Sequence, residues 1–234
     1  PPTEPTSIDD KDVLGVCVPP LDYYLRLKSF SHKGTLEIKE GEWDVVVYEA
    51  TKFISLLAQG NPNVLMALWL EPRFYVSTSP ASDLIISNKS LFVGRHVYKA
   101  FTGYAYSQLH RMTHLAYAGH MGTKRKTLVD KFGFDTKNSA HLIRLLRMGA
   151  EFLRDGELHV YRQDAPQIVE IKQGEWTLEQ IKSEADRWFK LSEEAYISST
   201  LPAGPDLEKI ERLKTAVVST ELCRRGEMNS PHEV

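Results

Sequence analysis

The period of apolar and polar positions changes twice along this chain. Val13 to Val18 is a short apolar run stopped by Pro19-Pro20, which predicts a buried strand. Residues 21–32 hold Tyr23, Tyr24, Leu25 and Leu27 without a decisive period. Thr35 to Lys39 alternates, Glu40-Gly41-Glu42 is a turn signal, and Trp43 to Tyr48 is β-branched, so 35–48 reads as a hairpin. From Tyr48 the spacing turns helical. Phe53, Leu56 and Leu57 share a face up to Gly60, a C-terminal stop. Asn61-Pro62 then opens a second helix, with Asn as the cap and Pro at the first position. Val64, Leu65, Leu68 and Trp69 form its apolar face, and Glu71-Pro72 ends it.

Beyond this small α/β unit the strand signals nearly vanish. Residues 89–118 form a long helical stretch, aromatic at Phe92, Tyr98, Phe101, Tyr104, Tyr106 and Tyr117, with a break expected at Gly103. Residues 119–135 read as a Gly- and Lys-rich connection. Asp135 or Thr136 caps a helix to about Leu153, and 156–172 reads as a short extended segment in which Leu158 and Val160 alternate. Thr177 and Gln180 form a capping box for a helix to Tyr196. Leu201 to Pro205 is a linker, Asp206 caps a last helix to about Arg225, and 226–234 is expected to fray. The expected class is α+β: a core of residues 1–75 with a mixed sheet and helices, then a mainly α-helical domain over 76–234.

Composition narrows the function classes. Apolar content of 42% and charged content of 26% suit a globular chain with a sizeable core. A net charge of −2 removes any global basic character, so a nucleic-acid partner needs a local patch. Cys17 and Cys223 are too far apart for a metal knuckle or a disulfide framework. No apolar run reaches the roughly 18 residues of a membrane span, and no signal-peptide pattern is present. The expected setting is cytoplasmic.

The chemistry concentrates where the first strand begins. Asp10 and Asp12 are two apart, so on an extended backbone they point to one face, an arrangement that a divalent cation makes tolerable. A solvated acidic turn is the bland alternative. Asp44 opens the Trp43 to Tyr48 strand, and it joins the pair if the two strands are neighbours. Glu49 ranks behind it because an odd spacing turns it to the other face. Carboxylates without thiolates or clustered imidazoles suit hard cations such as Mg²⁺, or Mn²⁺. His110 and His114 have zinc-ligand spacing but lack the metalloprotease glutamate, and read as ordinary surface or core histidines. Lys124, Arg125, Lys126, Lys131, Lys137, His141, Arg144 and Arg147 form the densest basic cluster. His141, Arg144 and Met148 share a helical face, with Lys137 one turn before. A solvated face paired with Asp135 and Glu151 is the bland reading there. Gln108 and Arg111 are weaker candidates for lining a cleft.

Ser7-x-Asp9-Asp10-x-Asp12-x-x-Gly15-Val16 followed by Pro19-Pro20 resembles the SDxDxxGVxxPP segment of predicted nucleotidyltransferases of bacteria and their phages, within the DNA polymerase β-like superfamily. Tyr48-Glu49-x-x-Lys52-Phe53 through Gly60-Asn61-Pro62 resembles the same group's helix pair. Gly133-Phe134-Asp135-Thr136-Lys137, with His141, Arg144, Leu145, Leu146, Arg147 and Met148, resembles its most specific signature. Leu201-Pro202 and Pro205-Asp206 resemble a further element, so the likeness spans nearly the whole chain.

The resemblance implies transfer of an NMP from an NTP, ATP among them, to an acceptor hydroxyl, with release of pyrophosphate. Two Mg²⁺ would be held by Asp10, Asp12 and Asp44. Lys137, His141, Arg144 and Lys131 would contact nucleotide phosphates. The acceptor would be tRNA, another RNA, a protein or a small molecule. Two departures stand out. The superfamily's phosphate-holding Gly-Ser loop falls before Pro1, so the chain is expected to lack N-terminal residues. Ile8-Asp9 also shifts the register of the aspartates, so Asp9 competes with Asp10. An inactive RNA- or protein-binding module on the same fold is the alternative, and a metal-dependent nuclease fits the strand context less well.

Overall fold

The computed structural model describes residues 11–25, 28, 30–31, 33–114 and 123–228. Three strands form one sheet. β1 (Lys11–Cys17) lies parallel to β3 (Trp43–Glu49), and β2 (Thr35–Glu40) lies antiparallel to β3, in the order β1-β3-β2. Helix α1 (Leu21–Leu25) follows β1, in the span with no decisive period. Gly41 takes a φ of 59° in the turn that closes the β2–β3 hairpin.

Helix α2 (Ala50–Ala58) leaves β3 directly and buries Phe53, Ile54 and Leu57. Its N-terminal donors are satisfied by Glu49. The carboxylate accepts from the backbone N–H of Thr51 and Lys52 at 2.8 and 2.9 Å, from the Thr51 hydroxyl, and from the Tyr24 hydroxyl at 2.9 Å. Asn61 caps α3 (Pro62–Leu65), which tightens into a 3₁₀ turn over Met66–Trp69. Helix α4 (Pro80–Ser87) has no counterpart in the apolar pattern, yet Ser79 and Ser82 close a full capping box at its start. Helix α5 (Val97–His114) runs unbroken through Gly103, against the expected break. Residues 123–132 form α6 (Thr123–Phe132) rather than a connection.

Helix α7 (Thr136–Asp155) is the most buried element. Asp135 caps it, accepting from the N–H of Asn138, and Gly156 ends it at a φ of 76°. The expected extended segment is helical in its second half, where α8 (Ala165–Gln173) opens on Asp164-Ala165-Pro166, and its first half carries neither strand nor helix. The Thr177–Gln180 capping box opens α9 (Leu178–Ser198), and Asp206 caps α10 (Leu207–Arg224). Residues 225–228 do not fray. Arg225 donates to the Val18 and Pro19 carbonyls at 2.8 and 3.0 Å, and Glu227 accepts from the Leu21 N–H at 2.7 Å. Residues 229–234 lie outside the described set.

The chain forms two compact units. One takes the described parts of Pro1–Ala58, Tyr75–Leu91 and Asp206–Val234. The other takes Gln59–Phe74 and Phe92–Pro205. In the first, α10 packs on α2 and α4 through Ile210, Leu213 and Val217. In the second, α7 is the hub for α5, α8 and α9. Gly149 lets α5 approach closely, since a Cβ there would sit 2.9 Å from the Phe101 Cβ. No helix among the described residues is long and apolar enough to cross a membrane.

Candidate functional site

The sheet brings Asp12 and Asp44 together. They are register partners on β1 and β3. Neighbouring strands run about 4.8 Å apart and register partners point to one face, so the two carboxylates stand side by side. Asp12 is exposed and Asp44 half-buried. Lys39, the register partner of Asp44 on β2, places its ammonium 2.9 Å from that carboxylate. Lys11 turns to the opposite face, pairing with Glu42 and lying 4.8 Å over the Trp43 ring. Asp9 and Asp10 lie outside the described residues. Glu49 also faces away from Asp44, and its two oxygens are taken by the start of α2 and by Tyr24.

Whether these residues suit a divalent ion is a question of donor chemistry. Two hard oxygen donors on one exposed face fit Mg²⁺ or Mn²⁺. Among the described residues no group of three His, Cys, Asp or Glu side chains suits a metal, so a third ligand would have to be one such as Asp10.

The basic residues of the signature separate into three environments. His141 and Arg144 are half-buried side by side, with Arg144 Nη2 3.0 Å from His141 Nδ1. A guanidinium only donates, so Nδ1 accepts and the ring proton of the neutral histidine sits on Nε2. Burial, followed by the charges of Arg144, Arg111 and Lys137, pushes His141 down to about 4. Lys137 is exposed one turn earlier. Lys131, also exposed, lies 4.7 Å over the Phe132 ring. Arg147 instead is buried in a clamp between helices. It donates to Asp164 at 2.7 Å and to Glu184 at 2.6 Å, while Arg162 bridges Asp164 and Glu151. Asp135 is a helix cap and Glu151 is bound to Arg162, so neither neutralises His141 or Arg144.

A cavity of about 610 Å³ opens in the second unit, walled by Asn63, by one face of α5 and by His141. The α5 face carries Lys99, Gly103, Ser107 and Arg111 at intervals of four, with Tyr104 and Gln108 beside them. Sequence reasoning named Gln108 and Arg111 but missed Lys99, Gly103 and Tyr104. The four-residue spacing was their signal, masked by the aromatic pattern of the same helix.

A model of the RNA repair pathway DNA polymerase beta family matches residues 5–189. The chain belongs to that family. Membership in the RNA repair pathway DNA polymerase beta family makes it one of the polymerase beta-like nucleotidyltransferases, a placement with which its α+β fold and small mixed sheet agree. The matched span of this family includes the Asp12–Asp44 pair, the cavity and the clamp around Arg147. No curated protein and no solved structure matches the chain.

Proposed function

We propose that this protein is a metal-dependent nucleotidyltransferase that moves an NMP from an NTP to an acceptor hydroxyl on RNA. The observation that carries this is the side-by-side placement of Asp12 and Asp44 at one end of the sheet, in a chain of this family. The unit that holds the sheet is the catalytic core in this reading, and the unit built around α7 is the helical domain.

Asp10, Asp12 and Asp44 are the residues that would hold Mg²⁺, or Mn²⁺, and a metal there would supply positive charge against the triphosphate. The acceptor oxygen bonds to the α-phosphorus as the α–β phosphoanhydride breaks. Pyrophosphate leaves, and the hydroxyl proton passes to a carboxylate, with Asp44 the candidate base. Lys137, His141, Arg144 and Lys131 bind phosphate groups within their own unit. His141 does so as a neutral donor, since it stays unprotonated near neutral pH. The family's description ties it to RNA repair, which is why RNA is taken as the acceptor.

The test incubates the full-length protein with each α-labelled NTP, Mg²⁺ and total RNA, following pyrophosphate release and label on RNA. The wild type should label RNA, and Asp12→Asn with Asp44→Asn should reduce release to background at unchanged melting temperature. Undiminished release by the double variant would sink the mechanism. RNA binding by the wild type without any release would mark a binding module.

A further inference from the structure

The cavity in the second unit has the makings of a ligand site of its own. Its volume, about 610 Å³, lies within the roughly 300–1,000 Å³ of pockets that hold small organic ligands, and exceeds what a lone phosphate fills. Among the described residues no carboxylate pairs with Lys99 or Arg111 on its wall, nor with Arg144 and Lys137 next to His141. Like charges gathered around one opening repel each other, and an anion relieves that cost.

The wall also carries neutral groups with hydrogen-bonding capacity to spare. Gln108 is 7% exposed, lines the cavity, and has an amide that no described residue hydrogen-bonds. Its amide is not among the fully buried unmatched groups, so it faces the cavity space and is open to a ligand. Asn63 adds a second amide. The Tyr104 hydroxyl accepts from Asn61 Nδ2 at 2.9 Å, which fixes the ring on the wall. Gly103 completes the shape, because a Cβ at that position would meet nothing within 4 Å. Glycine favours a helix less than alanine does, and here its effect is to leave space.

We infer that this cavity binds a nucleotide phosphomonoester, with Arg111 and His141 on the phosphate and Gln108 and Asn63 toward the base. The amides supply the paired donor and acceptor that a base edge requires, and Tyr104 offers a ring face for stacking. The ligand is a free mononucleotide or the phosphorylated terminal nucleotide of an RNA strand, which are the same chemistry from two sources. The choice of a nucleotide rests on the nucleotidyl-transfer reading; the anion site itself does not.

The experiment uses the full chain and calorimetric titration with four probes: AMP, adenosine, a pentaribonucleotide ending in a 5′-phosphate, and the same strand ending in a hydroxyl. At least one phosphorylated probe should bind about tenfold or more tightly than its unphosphorylated counterpart. Gly103→Leu, which fills the cavity, and Arg111→Ala, an exposed position whose loss leaves the fold intact, should each weaken that binding about tenfold or more. Asp12→Asn should bind like the wild type even if it no longer transfers nucleotides, which separates this site from the carboxylates. Binding of AMP assigns the free nucleotide, and binding of the phosphorylated strand alone assigns an RNA end. Equal binding with and without phosphate, wild-type binding by both cavity variants, or loss of binding in Asp12→Asn would each overturn the proposal.

Discussion

Truncating Arg147 to alanine should be among the most damaging single changes in this protein, although in sequence the residue is only one more member of a basic cluster. Its side chain is 6% exposed and holds Asp164 of the α8 start and Glu184 of α9 at 2.7 and 2.6 Å. Its guanidinium lies 5.6 Å from the Trp188 ring, whose Nε1 donates to Glu184 at 2.7 Å. Removing it leaves Glu184, 13% exposed, without its main counter-charge and Asp164, 24% exposed, with Arg162 alone. Breaking one partner of such a pair costs about 3–5 kcal/mol. At roughly 2–4 °C per kcal/mol for a chain of this size, the melting temperature should fall by about 6–20 °C. Urea denaturation of the wild type, Arg147→Ala, Glu184→Ala and the double variant checks this. The double should cost less than the sum of the singles, because each single strands the other's charge. A loss below about 1 kcal/mol, or strictly additive singles, would refute the clamp. Acid provides a second reading. Burial disfavours the Asp164 carboxylate, but hydrogen bonds from Arg162 and Arg147, and then their charges, outweigh it and hold it at about 2. A lowered acid pKa stabilises the fold above its unfolded value near 3.8 and loses that contribution as pH falls toward 2. The contribution is at most about 2 kcal/mol, less whatever solvent screening removes.

His141 predicts an acid sensitivity of the same sign in a higher pH window. Its folded value of about 4 lies below the ordinary 6.5, so stability holds above pH 6.5 and declines as pH falls toward 4. The decline is at most about 3 kcal/mol, reduced by solvent reaching the ring. Urea midpoints between pH 7 and 4 should fall more steeply for the wild type than for His141→Gln, and parallel profiles would contradict the cationic surroundings described. Two glycines should respond with opposite signs to the same substitution. Gly103→Ala should raise stability by about 0.5–1 kcal/mol, since the new methyl meets open space in mid-helix. Gly149→Ala should lower it by about 1–3 kcal/mol, since its methyl would sit 2.9 Å from the Phe101 Cβ. Thermal melts of both decide the matter.

What the sequence made legible follows from which physical signals are local. Caps are local, and Asn61, Asp135, Thr177 and Asp206 each start the helix their side chains announced. Strand alternation is local, and the β2–β3 hairpin formed where it was read. Helix α6 went unread because Thr-Lys-Arg-Lys offers no apolar face in its first turn. Helix α8 went unread because the alternation at Leu158 and Val160 drew attention from the Asp164-Ala165-Pro166 start. Arg147 parts from the other basic residues for a geometric reason. Three residues turn a helix by about 300°, so each step from His141 to Arg144 to Arg147 falls back about 60°. The signature therefore winds off the cavity wall and into the interface with α8 and α9.

The two candidate sites differ in how they hide. Nothing in the period of β1, β2 and β3 dictates the order β1-β3-β2, because a hairpin can offer either strand to a third. The adjacency of Asp12 and Asp44 depends on that non-local parallel pairing, so sequence alone left it conditional. The cavity was hidden in a residue with no side chain to read. On α5 the aromatic positions suggested core, and Phe101 is indeed buried, but Tyr104 sits on the cavity wall and Tyr106 is 64% exposed. Gly103 looked like a helix break, the usual meaning of a mid-helix glycine. It is continuous helix facing open space, flanked at four-residue intervals by Lys99 and Ser107, with Arg111 one turn further. A glycine that neither bends its helix nor admits a neighbouring backbone carries a stability cost with no packing return. Room for a ligand is the explanation that also accounts for the cations and the unmatched amide around it.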